Sequence, residues 1–411
     1  MLKSAVILNK LAGVVLLGIL TALLTGCTTI INPQNPQSTF DTLGPVAENQ
    51  LFIFWVIFFA GLVVFIFVEA ALLYMVFKFK RREGDGDPAQ THGNTRLEIA
   101  WTIAPVIVLV VAAVPTVQGI FYADAGRYIS ANYQAAADEG RFLEVDVIGH
   151  QWWFEFRYPH PTNAGEQIAV ANEMYVPVGE PVVFLLDSVD VIHSFWVPKL
   201  AGKVDMIPNN DNMMWFEAYV PGEYFGQCAE FCGVSHANMR FKVVAVARDE
   251  FDRWLLHQAN PAAEPSDPLA AQGKKLFRDA GCSGCHADSN SVIKLRDDGS
   301  RIPGRTGPIL NHVATRLNHL GMFRNSDVDF EDASGRRLYI NSQGMPADVT
   351  TGRSFINESM LQANLKEWIT DPESLKPGNL MARDGEPYID PANELTEVEI
   401  DALVAYLMTL K

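Results

Sequence analysis

Hydrophobic positions in the first third of the chain come in long runs. Leu11 to Leu24 is apolar, with Lys3 and Lys10 ahead of its core and small residues leading to Cys27. Leu51 to Phe77 is nearly unbroken apart from Glu69, and Ile99 to Ile120 is a third run, containing Pro105 and Pro115. The last two each meet the roughly 20-residue requirement for a helix that crosses a bilayer, and they predict a transmembrane hairpin. The first has the layout of an export signal. Between the two long runs lies Lys78-Phe79-Lys80-Arg81-Arg82, a positive cluster that belongs on the cytoplasmic side. Both outer ends then face outward, and the large C-terminal region is extracytoplasmic.

The pattern changes after Arg141. Phe142-Leu143-Glu144-Val145-Asp146-Val147-Ile148 alternates with period two, as a half-buried strand does. Pro181 to Leu186 and Phe241 to Val246 are further strand candidates, separated by Pro- and Gly-containing turns. A β-sandwich or barrel of about 100 residues fits. Residues 259–268 are rich in Pro and Ala and read as a linker. Helical patterns follow at Leu269 to Ala280, Ser359 to Thr370 and Thr396 to Leu410, the last opening on Thr396 and Glu399 as a capping box.

The formal charge is −16. The acidic excess sits on the two soluble parts, chiefly the middle one. Nucleic acid does not suit such a surface. A basic protein partner does, although net charge of this kind also simply keeps domains soluble. All five Cys fall in an exported context, where paired disulfides are the default. Their spacing points elsewhere. Cys27 ends the signal, Cys228 and Cys232 are followed by His236 and Met239, and Cys282 and Cys285 directly precede His286.

Cys228 to Met239 offers two thiolates, an imidazole and a thioether, soft donors that suit copper or zinc. A second imidazole has to come from elsewhere, and His193 follows a strand candidate. A mononuclear blue-copper site uses one Cys, so a second Cys favours a dinuclear site.

The string Cys-x-Glu-x-Cys-x₃-His-x₂-Met resembles the loop of the dinuclear copper A centre of cytochrome c oxidase subunit II. Leu97 to Pro105 resembles that family's second membrane helix, Gly149-His150-Gln151-Trp152-Trp153 its aromatic segment, and Val191 to Phe195 its upstream His. The resemblance covers about residues 40–250 and implies a cupredoxin-like β-sandwich. It implies that Cys228 and Cys232 bridge two coppers and that His193 and His236 each complete one. Met239 and the carbonyl of Glu230 would be weak axial ligands, and the Glu230 side chain would bind a Mg²⁺ shared with subunit I. It further implies that Trp152 is the aromatic through which electrons come in, and that Glu98 stands at the mouth of a proton path. Without the resemblance, Trp152 and Trp153 would read as packing. Glu69, inside an apolar run, is given no role. The run Leu24-Thr25-Gly26-Cys27 resembles a lipoprotein cleavage box with Cys27 lipidated; a plain signal peptide or a retained helix has the same layout.

Cys282-Ser283-Gly284-Cys285-His286 is the signature of covalent c-type haem attachment, with His286 as proximal iron ligand. Ala271 to Phe277 and Thr306-Gly307-Pro308 resemble parts of class I cytochromes c, so an all-α domain is expected. Residues 287–380 are longer than such a domain needs, and loop insertions are expected around 287–303 and 320–350. Haem iron in electron-transfer domains usually takes His and Met. Lys-Pro-Gly-x-x-Met, ending at Met381, resembles the distal loop of that class; Met345 is the rival.

The expected organisation is a signal over 1–26, a membrane hairpin over 27–122, a copper domain over 123–258, a linker over 259–268 and a cytochrome domain over 269–411. The function so implied is electron transfer from a c-type donor, through haem c and copper A, to subunit I of a proton-translocating oxidase. Subunit III and membrane lipid are further partners. The site would be the inner (plasma) membrane, crossed twice, with both soluble domains on the periplasmic side. A quinol oxidase subunit would lack the copper ligands, and a nitrous-oxide-reducing carrier would lack the hairpin.

Overall fold

The computed structural model describes residues 36–81, 93–129, 143–295, 306–326, 338–340, 346–348 and 354–411, with a few isolated positions between them. Cys27, Met345 and nearly all of the signal lie outside the described residues.

Helices α1 (Pro45–Lys78) and α2 (Thr95–Ala123) pack side by side as the expected hairpin. Both run a few residues beyond the apolar segments. Pro45 occupies the first turn of α1, where its missing N–H costs nothing. Asn94 caps α2 by accepting from Arg96 N–H and Leu97 N–H. Their apolar side chains are largely exposed in the isolated chain, as lipid- or subunit-facing residues must be.

A two-sheet β-sandwich follows. Its strands are β1 (Leu143–His150), β2 (Trp153–Pro159), β3 (Glu166–Ala171), β4 (Glu173–Pro177), β5 (Pro181–Ser188), β6 (His193–Trp196), β7 (Lys203–Met206), β8 (Asn212–Glu217), β9 (Gly222–Cys228) and β10 (Arg240–Val246). One sheet has the order β3-β2-β1-β5-β8, extended at the β3 edge by a strand from further along the chain; the other has the order β4-β10-β9-β6-β7. Phe154, Phe156, Phe184, Phe195 and Phe241 fill the space between the sheets with essentially no exposure.

Helix α3 (Arg248–Ala259) closes the sandwich and was not among the expected elements, although Phe251, Trp254, Leu255 and Gln258 are buried at helical spacing. The linker then leads to α4 (Pro268–Asp279), α5 (Glu358–Thr370), α6 (Leu380–Asp384) and α7 (Glu397–Leu407). Thr396 and Glu399 form the expected capping box. Helices α4 and α7 cross so closely that a Cβ on Gly273 would collide with the Ala402 carbonyl. The expected insertions are not plain loops. Val292–Lys294 forms β11, paired antiparallel with β3, and two short ladders join Asn318–His319 to Phe323–Arg324 and Leu338–Ile340 to Pro346–Asp348.

Candidate metal centre and adjacent cleft

His193 opens β6, and Cys228 closes β9, the strand paired with β6, where it faces Phe195. The loop from Cys228 to Met239 then folds back over the sandwich end through a single turn at His236–Asn238. Cys228 Sγ and Cys232 Sγ lie 3.7 Å apart. His193 Nδ1 is 3.9 Å from Cys228 Sγ and His236 Nδ1 is 3.4 Å from Cys232 Sγ. Met239 Sδ is 3.8 Å from Cys232 Sγ, and the Glu230 carbonyl is 3.2 Å from Cys228 Sγ. The six residues singled out from the sequence therefore converge. The donor atoms of His193, Cys228 and Cys232 all lie within 4.8 Å of one another, and all three residues are buried. Two thiols at this separation, each with its own imidazole, fit a pair of soft metal ions better than one.

The electrostatics set the two thiols apart. Cys228 is held well below the usual thiol range, first by its hydrogen bond with Cys232, then by His193. That same bond, together with burial, pushes Cys232 up. Two adjacent thiols resist double ionisation until a cation joins them. Burial works against a charged His193, but hydrogen bonds to Asp190 and Cys228 outweigh it and raise its pKa. Glu230 turns its carbonyl inward and its carboxylate outward, 3.5 Å from Lys203 Nζ.

Asp190 and Gln151 complete the surroundings, and the sequence had not singled them out. Gln151 N–H donates to Asp190 Oδ2 at 2.7 Å, and Gln151 Nε2 donates to the Cys232 carbonyl at 2.7 Å. Their proximity to His193 and Trp152 in the chain was the available signal. Gly149 leaves room for the His193 ring: a Cβ there would stand 2.6 Å from His193 Cδ2.

Trp152 is buried, and its indole N–H donates to the Cys232 carbonyl at 3.0 Å. The ring lies between two glycines of positive φ. A Cβ on Gly233 would meet Trp152 Cζ2 at 3.0 Å, and one on Gly378 would meet Cη2 at 3.1 Å.

Cys282 and Cys285 flank a single turn after Gly281, which takes the left-handed conformation. His286 Nδ1 donates to the Pro308 carbonyl at 2.7 Å. This fixes the ring and leaves Nε2 for a ligand, while burial lowers the His286 pKa. Cys282, Cys285, His286 and Met381 line one largely apolar cleft together with Leu365 and Tyr388. Trp152 and Lys376 line the same cleft. Met381 was expected on an extended loop; it sits instead on the short helix α6, capped by Asn379 through Ala382 N–H. Asn379, itself tied to Pro372 and Lys376 carbonyls, is buried and can afford that turn. Glu98 stands on the first turn of α2, accepting from Asn94 N–H at 3.2 Å.

Sequence comparison agrees with this architecture. The family model described as "Cytochrome C oxidase subunit II, transmembrane domain" matches residues 34–118, and that described as "Cytochrome C oxidase subunit II, periplasmic domain" matches residues 143–246. The chain is 34% identical to "Cytochrome c oxidase subunit 2" of Alkalihalophilus pseudofirmus, over 96% of each chain. It is 35% identical to the "Cytochrome c oxidase subunit 2" of Bacillus sp. strain PS3, over 81% of this chain and 80% of the relative. A "Quinol oxidase subunit 2" of Bacillus cereus is 31% identical, over 60% of this chain and 79% of its own length.

A two-helix membrane anchor carrying a cupredoxin-like sandwich with a His–Cys–Cys cluster defines a subunit of a haem–copper terminal oxidase, an oxidoreductase complex. The chain belongs to the cytochrome c oxidase subunit II family. Membership makes it a two-pass membrane protein with a periplasmic domain, a partner of subunit I, and implies a copper A centre.

Proposed function

We propose that this subunit takes electrons from a c-type donor and hands them to subunit I through two cofactors of its own. His193, Cys228, Cys232, His236, Met239 and the Glu230 carbonyl would hold the copper pair. Cys282, Cys285, His286 and Met381 would hold a covalent haem c. When bound, these groups supply one-electron carriers. The chain's own residues do the rest. The sandwich holds the ligand loop stiff between β9 and β10, so that a change of charge moves little. Asp190 orients His193, Pro308 orients His286, and the burial of His193, Cys228, Cys232 and Met239 keeps water from the copper ligands.

The observation that carries the reading is Trp152. It donates to the Cys232 carbonyl on one side and lines the cleft of Cys282, Cys285, His286 and Met381 on the other. The quinol oxidase alternative is disfavoured by the complete ligand set.

In this reading residues 269–411 form the cytochrome domain and residues 259–268 its linker. The Glu230 carboxylate binds Mg²⁺ at the boundary with subunit I, and Glu98 opens the proton path. Cys27 is lipidated after removal of 1–26 in the inner membrane, and subunit III completes the core. The acidic soluble surface suits a basic donor. Metal and haem analysis of the purified full-length subunit tests the reading. Two coppers and one covalent haem per chain are expected; zinc, or a single copper, overturns the dicopper assignment.

A further inference from the structure

Contacts from three separate stretches join the C-terminal unit to the copper sandwich. The first is strand addition. β11 pairs with the β3 edge from Val292 opposite Ile168 to Lys294 opposite Glu166. Ala169 N–H donates to the Ser291 carbonyl, Leu295 N–H donates to the Gly165 carbonyl, and Ile293 is buried against Ala169. Main-chain pairing of this kind gives affinity without depending on side-chain charge.

The second patch is polar and buried. Glu173, at the start of β4, accepts from Asn318 N–H at 3.0 Å, from Asn318 Nδ2 at 3.3 Å and from Leu317 N–H at 3.3 Å. Asn318 Nδ2 also donates to Glu223, at 2.8 Å. Leu317 and Phe355 lie within the hydrophobic core of the sandwich itself. Gly321, at positive φ, lies so close to the Arg240 carbonyl that no Cβ fits between.

The third patch lies over the copper loop. Lys376 Nζ donates to the Trp152 carbonyl at 2.8 Å, and Ser235 Oγ donates to the Pro377 carbonyl at 2.7 Å. Lys376 is buried there, and Trp152 keeps only 6% of its surface. The linker is held as well: Ala262 N–H donates to Asn311 Oδ1 at 2.9 Å and Asn311 Nδ2 donates to the Asn260 carbonyl at 3.1 Å.

We propose that these contacts seat the C-terminal unit on the copper domain in one fixed pose, which reserves Trp152 for the resident haem unit and closes it to donor proteins from outside. The covalent link through residues 259–268 then tethers a unit that holds its place without it. This goes beyond the assignment of the cofactors and rests on the reading that the C-terminal unit binds haem. Docked partners that must find one another by diffusion transfer electrons at salt-dependent rates. A fixed seat with this much main-chain pairing and buried side-chain bonding does not.

The test uses the assembled oxidase with a protease recognition sequence inserted after Pro265. After cleavage and gel filtration at low and high salt, the haem fragment is expected to co-elute with the copper fragment. Flash reduction of the haem should then be followed by copper reduction at the uncut rate, within a factor of two, at both salt concentrations. Separation of the fragments overturns the proposal, as does a more than tenfold slowing on cutting or on raising salt. Adding Glu173→Ala and Asn318→Ala to the cleavable chain should release the fragment; continued co-elution would overturn the role of that patch. Covalent haem is measured by absorbance on each fraction. A C-terminal fragment without haem defeats the haem reading, while its co-elution still reports on the seat.

Discussion

Asp190 Oδ1 accepts a hydrogen bond from His193 Nε2 at 2.8 Å, and this turns His193 Nδ1 towards Cys228 Sγ. The carboxylate fixes both the tautomer and the ring angle of a metal-facing imidazole, a pairing common around metal ligands. Asp190→Ala is expected to weaken copper binding by about 10–100-fold, read by competition with a chelator, with the fold unchanged by circular dichroism. Wild-type affinity in the variant would show that the ring is held by packing alone.

Met381 lines the same cleft as the Cys282–His286 turn. A thioether ligand raises the potential of haem iron. Met381→Ala should lower that potential and abolish the weak sulfur-to-iron absorption band. Survival of the band in Met381→Ala and its loss in Met345→Ala would move the ligand to Met345.

Helices α4 and α7 meet at Gly273, where a side chain has nowhere to go. Gly273→Ala should destabilise the C-terminal unit by about 1–3 kcal/mol through overpacking, seen as a lowered Tm for loss of the haem absorbance. The copper centre, held by a separate core, should keep its spectrum. An unchanged Tm would contradict the close crossing.

Burial, and next the neighbouring Glu223, push the Glu173 carboxyl up to about 7 from the ordinary 4.5. A folded pKa above the unfolded one means that the fold takes up a proton. The stabilisation from this group is full below pH 4.5 and is lost as pH rises through 7. The loss is about 3 kcal/mol at most. Stability measured by denaturant titration should fall across that window, and Glu173→Gln should flatten the fall. A variant with the same pH slope as the parent would contradict the assignment.

Much of this architecture was legible because its signals are local. Unbroken apolar runs announce a bilayer, and the spacing of Cys228, Cys232, His236 and Met239 places four donors on one short loop. The strand beginning at Leu143 and the cap at Thr396 showed in alternation and residue type. What was hidden depends on contacts between distant segments. Asp190 looks like an ordinary turn residue until β6 carries His193 under it. Nothing in Asn318 or Lys376 points to Glu173 or Trp152, which lie far back along the chain. Met381 on a short helix rather than a loop depends on Asn379, whose cap competes with the extended form suggested by Pro377 and Gly378. The buried face of α3 repeats at helical spacing, but the Pro-rich linker beside it masks that signal.

In the proposed centre two thiolates hold two copper ions between His193 and His236. An electron paramagnetic resonance spectrum of the oxidised full-length subunit tests it most directly. One electron shared equally by two copper nuclei is predicted, with the signal lost in Cys232→Ser. A spectrum of a single isolated copper, or one unaltered by Cys232→Ser, would contradict it.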